Sequence, residues 1–132
     1  MSTILLVEDD DWLAEMYSDA LTFNKMCSVK RARTAEEALQ VLDTCPEIEL
    51  IILDMFLPAH NGVEFLHELA SYSDINPTPV VVLSSVSQHD FAMDPERWQH
   101  YGVVQYLYKP HTKPQDLVSA IKKQLSLQGV SS

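Results

Sequence analysis

Leu50-Ile51-Ile52-Leu53-Asp54 sets four aliphatic side chains in a row and ends them on a carboxylate. No polar residue alternates within the run, so both faces of the segment must be buried. That is the pattern of a parallel strand covered by helices. Ile4-Leu5-Leu6-Val7 and Val80-Val81-Val82-Leu83 read the same way. Two weaker strands fit Ser28–Ala32 and Val103–Tyr108.

Between these runs lie helical stretches. Asp11–Phe23 carries Leu13, Met16, Tyr17 and Ala20 at helical spacing. Thr34 with Glu37 three residues on is a capping box, opening a helix with Ala35, Ala38, Leu39 and Leu42 on one face. Asn61–Tyr72 places Val63, Leu66 and Ala70 together, and Asp94-Pro95 reads as N-cap and N1 with Gly102 as the stop. Pro114–Leu127 offers Leu117, Val118, Ile121 and Leu125. Five strand–helix units in alternation predict an α/β domain, a parallel sheet with helices on both faces. Ligands of such sheets bind beyond the carboxyl ends of the strands.

The bulk properties agree. The 132 residues suit one domain, with a core at about 3–127 and a flexible tail at 128–132. Nine Lys+Arg against nineteen Asp+Glu give a net charge of −10, which argues against unaided binding to nucleic acid or anionic lipid. Cys27 and Cys45 are too few and too distant for a disulfide scaffold and read as small buried hydrophobes. The N-terminal apolar run is too short for a signal peptide or a membrane span, so a cytoplasmic location is expected. The five histidines show no close ligand spacing, so no zinc site is expected. Trp12 and Trp98 read as packing residues.

Directly after the first run come Glu8, Asp9, Asp10 and Asp11, after the third Asp54, after the fourth Ser84, and after the fifth Lys109-Pro110. If the fold is right, all sit at one sheet edge. Two like charges ~4 Å apart repel by about 4 kcal/mol at an effective dielectric near 20. Protonation or a bound divalent cation relieves that, and carboxylate and carbonyl oxygens suit Mg²⁺. A carboxylate nucleophile, a metal, a lysine and a hydroxyl describe phosphoryl transfer to Asp. Asp10 and Asp11 read instead as capping groups of the first helix.

Over about residues 3–127 the chain resembles the receiver domain of two-component response regulators. The resemblance rests on Val7-Glu8-Asp9-Asp10, on Leu53-Asp54-Met55-Phe56-Leu57-Pro58 followed by Asn61-Gly62, on Val82-Leu83-Ser84-Ser85, and on Gly102, Tyr106-Leu107 and Lys109-Pro110. It implies a flavodoxin-like (βα)5 fold with strand order 2-1-3-4-5. It implies Asp54 as phospho-acceptor, Asp9 and Glu8 with Asp54 and the Phe56 backbone carbonyl around Mg²⁺, Lys109 against the phosphoryl oxygens, and Ser84 and Tyr106 as the switch pair. In the family the Lys109–Pro110 bond is cis. A histidine kinase or phosphotransfer protein is the expected donor. The protein would be no enzyme beyond its own phosphorylation and dephosphorylation.

The stretch from Ser85 to Tyr101 is longer than is usual in the family. The region 86–108 is therefore expected to meet an unidentified downstream protein in a way of its own. Phe91, Met93 and Trp98 either form a docking surface or pack onto the sheet. Phe56 and Val86, both apolar, predict slow self-dephosphorylation, since neither can orient an attacking water. A phosphatase with an Asp nucleophile would want an acid two residues after it, where Phe56 stands. A phosphorylation-independent pseudo-receiver, or a receiver cut from a larger regulator or hybrid kinase, stays open as an alternative. The sequence leaves the oligomeric state undefined.

Overall fold

Three strands whose side chains are almost all sealed from solvent form the centre of the molecule. The computed structural model describes residues 2–23, 25, 27–57, 60–72, 78–91 and 94–127. Its elements are β1 (Ser2–Val7), α1 (Asp11–Thr22), β2 (Cys27–Ala32), α2 (Ala35–Thr44), β3 (Ile48–Leu53), β4 (Phe56–Leu57), β5 (His60–Asn61), α3 (Gly62–Tyr72), β6 (Val80–Ser84), α4 (Pro95–His100), β7 (Val103–Tyr108) and α5 (Pro114–Leu127). Two 3-10 turns, Gln88–Phe91 and Lys109–His111, interrupt the loops.

The main sheet runs β2-β1-β3-β6-β7, all parallel. With its strands numbered consecutively this is the expected order 2-1-3-4-5. The central runs are buried on both faces because successive side chains point to opposite sides. Leu5, Val7, Ile51, Leu53, Val80 and Val82 face α2, α3 and α4. Ile4, Leu6, Leu50, Ile52, Val81 and Leu83 face α1 and α5. The edge strands β2 and β7 are only partly covered, which is why their sequences carry polar residues.

Local signals mark most helix ends. The Asp10 side chain accepts from Leu13 N at 3.0 Å and caps α1. Thr34 Oγ1 accepts from Glu37 N at 3.1 Å, but the Glu37 carboxylate returns to Arg33 N rather than to the cap residue. Asp94 precedes α4 without a side-chain cap bond, and Pro95 starts the helix. Gly102 has φ 79°, a conformation that costs glycine little.

Several expectations need correction. In α1 Tyr17 is buried as expected, but its companions in the stripe are Ala14 and Leu21, with Leu13 and Met16 only packed at the margin. Trp12 therefore points away from the core and is 71% exposed. In α3 Leu66 is sealed as expected, together with Phe65 and Leu69, while Val63 and Ala70 pack at the margin. The hairpin of β4 and β5 was not read from the sequence. Among the described residues no peptide bond is cis, so Lys109–Pro110 is trans. Trans is the lower-energy isomer even before proline, by roughly 0.5–1 kcal/mol.

Of the three residues Phe91, Met93 and Trp98, the one whose side chain is described, Trp98, packs into the core. It is 4% exposed and belongs to the cluster under α2 and α3. Met93, the Phe91 side chain and the segment 128–132 lie outside the described residues. Among the described residues no helix is long and apolar enough to cross a membrane. Trp98→Ala should lower the unfolding free energy by roughly 3–5 kcal/mol, measured by urea denaturation. A change within about 0.5 kcal/mol would place the ring outside the core.

Candidate functional site

The carboxyl ends of β1 and β3 are neighbours, with Val7 paired to Leu53 and Asp54 N donating to the Val7 carbonyl at 3.0 Å. The next residues, Glu8 and Asp54, are thereby set side by side. Ligand oxygens of Glu8, Asp9 and Asp54 all lie within 4.8 Å of one another. Glu8 and Asp54 are buried and Asp9 is exposed. Lys109, arriving from the end of β7, donates from Nζ to Glu8 Oε1 at 2.7 Å and to Asp54 Oδ2 at 3.1 Å. The other Glu8 oxygen accepts from Asp10 N at 3.2 Å, turning the loop back on itself.

Two buried carboxylates and one ammonium leave a net negative charge out of water. Burial is the main force that raises the Glu8 pKa from 4.5 to about 7. The Lys109 hydrogen bond opposes it, and the Asp54 charge adds to it. Burial works against the Lys109 ammonium, but its bonds to Glu8 and Asp54 outweigh that and hold its pKa above the ordinary value. The site therefore takes up a proton more readily than exposed carboxylates do. Three clustered oxygen ligands without sulfur or imidazole are a donor set for a hard divalent ion such as Mg²⁺.

Ser84 ends β6 at the same edge and is fully buried. Its Oγ accepts from Val86 N at 3.1 Å. The Tyr106 hydroxyl, on β7, donates to the Val86 carbonyl. The Trp98 ring meets the Tyr106 ring edge-on at 5.5 Å between centroids. Phe56, whose candidate ligand is a backbone oxygen, opens β4 two residues beyond Asp54. Asp10 and Asp11 serve the helix: Asp10 caps it and Asp11 pairs with Arg31 at 2.7 Å and with Arg33. The arginines lower the Asp11 pKa, the Arg31 hydrogen bond most of all. A cleft of about 440 Å³ between α2 and α3, lined by Glu36, Leu39, Gln40, Leu42, Asp43 and Leu69, includes none of Glu8, Asp9 and Asp54.

A family model of the response regulator receiver domain matches residues 4–122. The chain belongs to the response regulator receiver family. It is similar to the transcriptional regulatory protein MalR of Bacillus subtilis (strain 168), 34% identical over 111 residues, which are 83% of this chain and 45% of MalR. It is also similar to the phosphate regulon transcriptional regulatory protein PhoB of Escherichia coli (strain K12), 33% identical over 119 residues, 90% of this chain and 49% of PhoB. This receiver spans less than half the length of these two relatives. A crystal structure of a CheY-like response regulator receiver domain protein from Methanospirillum hungatei JF-1 aligns at a TM-score of 0.82 and 25% identity, covering 98% of this chain and 97% of that one. Receiver domains bind Mg²⁺ at an acidic pocket, are phosphorylated by histidine kinases and act on downstream partners.

Sequence reasoning missed Arg31, whose guanidinium reaches the site's backbone. It also missed the contact of Trp98 with Tyr106. The shifted proton of Glu8 has a consequence for stability. Between pH 4.5 and 7 the folded, metal-free protein binds more protons than the unfolded chain. Its stability should therefore fall as pH rises through that window, and flatten above it. Chemical denaturation in EDTA at steps from pH 4.5 to 8 should show this decline, with a smaller one in Glu8→Gln. The same decline in both proteins would contradict the assignment.

Proposed function

We propose that this receiver accepts a phosphoryl group on Asp54 from the phosphohistidine of a histidine kinase or phosphotransfer protein, with Mg²⁺ held by Asp9, Asp54, Glu8 and the Phe56 carbonyl. The observation that carries the reading is the convergence of three carboxylates within 4.8 Å, with Lys109 bridging Glu8 and Asp54. Two buried carboxylates beside an exposed third are costly for stability alone, and fit a site that binds a cation.

When bound, Mg²⁺ supplies positive charge for the transferring phosphoryl oxygens. An Asp54 carboxylate oxygen forms the new bond to phosphorus while the phosphorus–nitrogen bond of phosphohistidine breaks, its electron pair returning to the imidazole. Lys109 stands 3.1 Å from Asp54 and offers its ammonium to the charge that gathers there. The Ser84 oxygen already accepts from Val86 N, so its hydroxyl proton is the part left to donate to a phosphoryl oxygen. Moving Ser84 disturbs Val86, whose carbonyl holds Tyr106. Ser84 and Tyr106 are in this way the switch, and 86–108 is the face that a downstream protein reads.

On this reading residues 1–132 work as one receiver domain in the cytoplasm, catalysing only their own phosphorylation and dephosphorylation. The relatives' share of length favours a second arrangement, in which such a receiver is part of a larger regulator. Either way, the chemistry at Asp54 is the same.

Incubation with acetyl phosphate and Mg²⁺, read by intact mass, should add one phosphoryl group to the wild type. Asp54→Asn, or EDTA, should abolish the gain, and Lys109→Ala should slow it by roughly 10²-fold or more. No gain in the wild type, or an equal gain in Asp54→Asn, would overturn the proposal.

A further inference from the structure

We infer that Arg31 is the positioning residue of the acidic pair Glu8 and Asp9, an inference that rests on the metal-binding reading of those acids. Arg31 lies on β2, opposite Leu6 in the parallel register. Its guanidinium donates twice to one oxygen, the backbone carbonyl of Glu8, from Nε at 3.1 Å and from Nη2 at 2.8 Å. The remaining arm, Nη1, is braced by Asp11 at 2.7 Å, in the first turn of α1. Asp11 is shared with Arg33.

The carbonyl of Glu8 belongs to the peptide that joins Glu8 to Asp9. That unit is planar and contains the Cα atoms of both residues. Holding its oxygen fixes the plane from which both carboxylates hang. The opposite side of Glu8 is held as well, by its own N–H on the Ala32 carbonyl at 3.0 Å. Without the fork the loop would retain its turn bond from Asp10 N to the Glu8 side chain, but that bond leaves the Glu8–Asp9 plane free to rotate. The planar guanidinium suits this task, and a lysine ammonium offers no such fork.

The sign of the effect separates positioning from charge. Arg31 is a cation near a cation site, so removing its charge should by electrostatics alone tighten Mg²⁺ binding. Loss of the clamp should weaken it. The test is calorimetric Mg²⁺ titration of the full chain as wild type, Arg31→Lys and Arg31→Met, with amide hydrogen exchange at Asp9 and Asp10 in the metal-free proteins. We expect the order wild type, Lys, Met in falling affinity, with a loss of roughly 10-fold or more in Arg31→Met. Exchange at Asp9 and Asp10 should be faster in both variants. Affinity in Arg31→Met equal to or tighter than wild type overturns the inference. Should Arg31→Met fail to fold, Arg31→Lys decides alone, since it retains charge and stem, and wild-type affinity there overturns the inference. If the wild type itself binds no Mg²⁺, the metal reading falls, and the clamp stands or falls on the exchange rates.

Discussion

The Lys109 ammonium between the Glu8 and Asp54 carboxylates is the contact on which the rest of the structure depends. Its members are 101 and 55 residues apart in sequence. Only the strand order closes those gaps. β1 and β3 are neighbours, which puts Glu8 beside Asp54. β7 is two strands from β3, roughly 10 Å away by ordinary strand spacing. The strand between them ends in Ser84. The sheet is thus a device for assembling one charged site, and its apolar interior offsets the strain of holding like charges together.

That site is unfavourable as it stands, with two buried acids and one base. The raised pKa of Glu8 is the visible sign. A cation or a proton relieves the strain, and the choice between them links metal, pH and stability. The phosphoryl group proposed for Asp54 would enter the same balance with further negative charge. Ser84, Val86 and Tyr106 are joined by hydrogen bonds leading away from it, and the Trp98 ring of the short helix α4 meets Tyr106. Trp98, within α4, is thereby buried against the proposed switch tyrosine.

Much of this was legible in the residues. Uninterrupted runs such as Leu50–Leu53 are buried on both faces, and little but a covered parallel strand accommodates them. The acids and Lys109 follow their strands immediately, so the topology carried them to one edge. Other features depend on register or rotation, which spacing alone does not reveal. The α1 stripe falls on Ala14, Tyr17 and Leu21, one step from the reading that paired Leu13 with Met16, and this turns Trp12 outward. Arg31 looks like a surface charge on an edge strand until the β1–β2 register brings it to the Glu8 carbonyl. Trp98 sits in a stretch without clear periodicity, so docking and packing were equally compatible with it.

The central claim is that Glu8, Asp9 and Asp54 form one cation site that exchanges a proton for Mg²⁺. Calorimetric titration with Mg²⁺ near pH 6.5, repeated in buffers of different ionisation enthalpy, counts the protons released on binding. The account predicts one saturable site that releases a substantial fraction of a proton, with the release lost in Glu8→Gln. Absence of saturable binding, or binding with no proton released, would contradict it.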